Sequence, residues 1–106
     1  MTALQTLIAA KALINTPDKW CKGKFGMDDV GQSIDPMRAC RRCAIGAVTA
    51  ACNGERWSDG FRYAREYLWK AKPRPELHLT GYNDLPSTTH ADIMALFDRA
   101  IDAAGR

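Results

Sequence analysis

The chain has 106 residues, of which 46% are hydrophobic and 25% charged, a balance that excludes a disordered polar tail and fits one domain, residues 1–106, with a modest core. Its formal charge of +3 is too small to mark the whole surface as a polyanion binder. The longest apolar run, about ten residues, is roughly half of what a bilayer crossing needs, so no membrane partner is expected. No basic leader opens the sequence and Lys11 interrupts its first apolar stretch. A cytoplasmic protein with reduced thiols is therefore expected.

Thr2 is placed to cap a first helix that runs to about Asn15, with Ala3, Leu7, Ala10 and Ile14 at helical spacing and Leu4 and Ile8 widening the stripe. Thr16-Pro17 ends it. Between Lys22 and Ile34 the sequence is punctuated by glycine, and Asp28-Asp29-Val30-Gly31 reads as a turn between extended pieces at 24–27 and 32–34, a small β-hairpin. Asp35 and Pro36 then have the form of an N-cap and first turn, so a second helix is predicted from Pro36 to Cys52 and closed by Asn53-Gly54. From Cys43 onward it is apolar on nearly every side and rich in Ala and Gly, which predicts a buried strut that neighbours approach closely.

A third helix is expected over 58–71, with Trp57, Phe61, Ala64, Leu68 and Ala71 as its buried stripe. Lys72 to Ser87 holds three prolines and reads as a long irregular connection, with 77–80 as a short strand. Thr89 and Asp92 form a capping box for a last helix whose buried face is Ile93, Leu96, Phe97, Ala100, Ile101 and Ala104. The predicted fold is mainly α: a compact four-helix domain with a small β-hairpin between helices 1 and 2.

Five motifs, Trp20-Cys21-Lys22-Gly23, Cys43-Ala44-Ile45-Gly46-Ala47, Tyr82-Asn83-Asp84, Thr89-His90 and the run from Leu96 to Ile101, resemble in order and spacing a family of small bacterial and phage proteins grouped as a domain of unknown function. The resemblance spans nearly the whole chain. It implies a shared fold and singles out Cys21, Cys43, Asn83, Asp84 and His90 without implying an activity. The family usually carries Trp where this chain has Arg42, and Cys40 and Cys52 lie outside its pattern.

Three chemistries compete for the cysteines. Cys40-x-x-Cys43 has redox spacing, but a redox pair belongs at the start of a helix after a strand, and here Cys40 is expected a turn inside one. Cys21, Cys40, Cys43 and His90 offer zinc ligands of the right type, yet one close pair with scattered singles is a poor set, and no metal or cofactor is expected. Cys21 or Cys43 as nucleophile, His90 as base and Asn83 or Asp84 as orienter is the catalytic alternative. The bland role for the same residues is hydrogen bonding that pins the long loop.

The other signal is charge. Residues 55–74 carry six basic against three acidic side chains, whereas 84–106 carry four acidic against two basic. Arg62, Arg65, Trp69, Lys72 and Arg74 combine positive charge with an aromatic, which suits a partner surface. No helix-turn-helix pattern accompanies them, so a protein partner is expected over nucleic acid. The reading is a small cytoplasmic accessory protein, of phage or mobile-element origin, that binds through this basic face. A cysteine-dependent enzyme is the alternative, and the oligomeric state is not legible.

Overall fold

The computed structural model describes residues 1–106. Thr2 caps helix α1, Ala3–Leu13, through a reciprocal box with Gln5. Leu7, Ala10 and Ile14 are fully buried, while Ile8 faces solvent. The stripe is therefore narrower than the spacing predicts. Helix α1 packs against three others: α2 (Ala44–Ala51), α3 (Asp59–Ala71) and α5 (His90–Ala104). Their shared core is anchored by Phe97, Leu7, Ile14, Leu68, Ile93 and Leu96. A fifth, shorter helix, α4 (Leu79–Asp84), lies against α2.

The helix predicted over 36–52 begins eight residues later. Asp35 does cap a turn, accepting from the Met37 amide, but that turn is a single 3-10 turn, Pro36–Arg38. Ala39 is extended, and strand β2 (Arg41–Arg42) pairs antiparallel with β1 (Gly26–Met27). The backbone of residues 40–43 bonds to Phe25 and Met27, and this pairing outcompetes helix continuation. Only then does Cys43, itself extended, open α2, its Sγ accepting from the Gly46 amide at 3.4 Å. Asn53 and Gly54 close α2 in left-handed conformations, as expected of that pair.

The hairpin is likewise redrawn. Asp28 and Gln32 face each other across the predicted turn, and Ile34 bonds back to Gly26. The 32–34 arm contributes only a single bridge, Ser33 to Met27, and the ladder partner of Met27 is Arg41 of β2.

Residues 77–80 form no strand. His78 is an extended cap and Leu79 starts α4, whose first bond runs from the Tyr82 amide to the His78 carbonyl. In α3, Phe61, Ala64 and Leu68 are buried as predicted, but Trp57 is 80% exposed. Ser58 caps α3, so Trp57 precedes the helix and the periodicity does not extend to it. The α5 capping box forms as read, and Ile93, Leu96, Phe97 and Ala100 are its buried face, with Ile101 and Ala104 half-buried. No helix is long and apolar enough to cross a membrane.

Candidate functional site

Two places gather the residues that the sequence singles out. The first is built around Asn83, the last turn of α4, which is 1% exposed. Its amide oxygen accepts from the Trp20 indole N–H at 2.8 Å and from the Ala44 amide at 3.1 Å. Its amide nitrogen donates to the Cys21 carbonyl at 3.1 Å and to Asp84 Oδ1 at 2.8 Å. Both donors and both acceptor positions of the side chain are thus used. Asp84 Oδ1 also accepts from the Gly23 amide at 2.9 Å, and Lys22 donates to the Leu85 carbonyl at 2.6 Å. One asparagine therefore ties α4 to the N-terminus of α2 and to the segment after α1.

Cys21 and Cys43 flank this network, and both are buried. Burial pushes the Cys21 thiol up to about 11, with the neighbouring Cys43 and Asp84 adding to the rise. Burial also raises Cys43 and outweighs the amides of Gly46 and Ile45, which favour its thiolate. His90 stands apart from both sulfurs in its bonding. Its Nε2 is 2.7 Å from the Ile14 carbonyl, which can only accept, so Nε2 carries a proton and holds the end of α1. The ring packs against Trp20, with centroids 6.1 Å apart. Cys40 is exposed and precedes β2 rather than lying inside a helix. No three His, Cys, Asp or Glu side chains converge as a metal ligand set. A hollow of about 140 Å³ reaches Cys43, Asp84, Lys24 and Thr80.

The second place is a larger groove of about 720 Å³. Its floor exposes the edges of Ile45, Phe61 and Leu79, from α2, α3 and α4. One wall is Phe25, 44% exposed, with the Arg56 guanidinium over its ring at 5.3 Å. Another wall is Trp69, 43% exposed, with Arg65 one turn earlier on the same side of α3. The His78 ring meets Trp69 edge-on at 5.6 Å. The lining holds no carboxylate, and neither Arg56 nor Arg65 has an ion-pair partner.

The rest of the predicted basic set is arranged differently. Arg62 pairs with Asp59 and lies over Tyr63, and Arg74 pairs with Glu76. Arg62, Arg65 and Trp69 share a smaller hollow with Glu66 on the outer side of α3. Lys72 is 5% exposed, so it does not present itself to a partner as the sequence reading expected. Its ammonium sits 3.8 Å from the centre of the Trp69 ring and donates to the Pro75 carbonyl, which fixes the indole from behind.

Sequence reasoning missed Phe25, Arg56 and His78. Phe25 had a signal, an aromatic held between Gly23 and Gly26 in a segment with no apolar periodicity of its own.

The pattern of a family of unknown function, DUF6197, matches residues 1–103 of the chain. No curated protein and no solved structure matches it.

Proposed function

The chain belongs to that family, and from this premise we propose that it is a small cytoplasmic accessory protein of bacterial or phage origin that acts by binding a protein partner at the groove beside α3. The observation that carries the reading is the pair of unpaired guanidinium groups, Arg56 and Arg65, each beside a half-exposed aromatic over an apolar floor. Arginine and tryptophan are the side chains that most often anchor protein interfaces, and exposed apolar surface in a concavity marks a contact site. Charge balance favours a protein over nucleic acid. Asp59, Glu66 and Glu76 pair with the basic residues along the outer side of α3 and just beyond it, which leaves too few free cations to track a phosphate backbone.

Cysteine-dependent catalysis is the weaker reading. The raised thiols of Cys21 and Cys43 and the engagement of His90 with Ile14 weigh against a thiolate–imidazole pair. The test is capture of a partner by cross-linking in cells, repeated with an Arg65→Glu/Trp69→Ala variant whose circular dichroism matches the parent. Loss of the partner supports the reading, as does weaker recovery when the complex, captured without cross-linker, is washed at about 1 M rather than about 0.1 M salt. Retention by the variant places the interface elsewhere.

A further inference from the structure

Resting on that reading, we infer that the groove is a socket for an acidic peptide segment carrying an aromatic or long aliphatic side chain. The volume of about 720 Å³ exceeds one side chain and falls in the range that accepts a short stretch of chain. Its chemistry divides in two. The floor, Ile45, Phe61 and Leu79, offers only carbon to an occupant and rewards an apolar anchor. The walls offer cation and ring together twice: Arg56 over Phe25, and Arg65 with Trp69. With no carboxylate in the lining, the charged side chains that an occupant meets inside the groove are the two guanidiniums. A carboxylate that enters meets guanidinium forks free to bind it with two N–H donors at once. An occupant with apolar side chain and carboxylates on adjacent residues satisfies floor and walls at the same time.

Other occupants fit less well. A nucleic-acid strand has bases to stack on Phe25 and Trp69, but beyond the groove it meets Asp59, Glu66 and Glu76 rather than a cationic track. This chain carries an acidic segment of related chemistry itself, Asp28-Asp29-Val30, whose shorter valine side chain is exposed in its turn. A second copy is thus a defined competitor for the groove.

The experiment uses the full chain and a capped six-residue peptide, two glutamates on each side of a central Phe-Leu pair, followed by calorimetry and by the indole N–H resonance of Trp69. Binding is expected at a Kd of about 10–100 μM. Arg56→Glu or Arg65→Glu should each weaken it about tenfold, with Arg65→Lys intermediate. A lysine-flanked peptide, and one with Ala-Ala at the centre, should each lose at least about tenfold. Equal affinity for the lysine-flanked peptide, tighter binding of a six-nucleotide oligothymidine, or self-association abolished by Asp29→Lys would each overturn the inference. If the peptide fails to bind while Arg65→Glu/Trp69→Ala still releases the cellular partner, the binding face stands and the acidic-segment chemistry falls. If that variant keeps the partner, both fall.

Discussion

Replacing Gly46 by alanine sets two well-measured effects against each other. On helix propensity alone the change should stabilise α2 by about 1 kcal/mol. The structure opposes it. A Cβ at Gly46 would overlap the Phe25 carbonyl oxygen and lie 2.8 Å from its carbonyl carbon. Backbone is less forgiving than the tip of a side chain, and the Phe25 carbonyl would have to retreat by about 1.6 Å to reach ordinary contact. Overpacking of this kind costs about 1–3 kcal/mol. The retreat also strains the bond from the Cys43 amide to the Phe25 carbonyl, 3.3 Å long, worth about another 1 kcal/mol. The clash wins, with a net loss of about 1–3 kcal/mol and a Tm lower by roughly 5–20 °C for a domain of this size. Gly81→Ala is the control, because a Cβ there meets only Leu77 Cβ at 3.8 Å, and it should hold or raise Tm. Thermal melts followed by circular dichroism decide the matter. A Gly46→Ala protein as stable as its parent would refute the close approach of residue 25 to α2, and with it the placement of one groove wall.

Two further outcomes follow from the Asn83 network. Asn83→Ala strands the Trp20 indole N–H, the Ala44 amide and the Cys21 carbonyl together, so urea unfolding should show a loss of about 3–5 kcal/mol; a loss under about 1 kcal/mol would mean that these groups find partners without the amide. With Cys21 held up at about 11 and Cys43 raised by burial, iodoacetamide at about pH 7 should label exposed Cys40 first, and Cys21 should respond only as pH climbs towards its own value and the thiolate grows. Rapid labelling of Cys21 or Cys43 at about pH 7, lost in His90→Ala, would sink the structural account of this cluster and favour thiol catalysis.

Local chemistry made the helix ends with side-chain caps legible. Thr2, Ser58 and Thr89 each begin a helix, since a hydroxyl there has a short-range partner that no distant contact has to supply. Asp35-Pro36 had the same signature, but its helix lasts one turn because strand pairing with residues 26–27 claims the next backbone groups. That competition is decided by a segment ten or more residues away and is invisible to local pattern. Cys43 as a cap was hidden for a different reason, sulfur being a weak acceptor that the usual oxygen-based signal ignores. Helix α4 is six residues long, contains Gly81 and follows a Pro-rich stretch; intrinsic preference gives it little, and its packing on α2 is what forms it. At the binding face, charge and aromatic content in 55–74 were readable. The pairing of Arg56 with Phe25 was not, because it joins two loops distant in sequence.

The Asn83 amide joins stretches 39, 62 and 63 residues away from it. Residues 20–43 own little local structure, only two-residue strands and one 3-10 turn. In kinetic terms, ties of such span close late, since the loop entropy is spent before the contact returns anything. The four longer helices can assemble first, and the middle segment is latched when α4 arrives. The same order runs backwards in the native state: a local opening of α4 removes the Asn83 and Asp84 ties to Trp20, Cys21 and Gly23 together. Trp20, Cys21 and the first turn of α2 all bond to the one Asn83 amide, so the segment that carries a buried thiol and the start of the central helix are loosened by the same event.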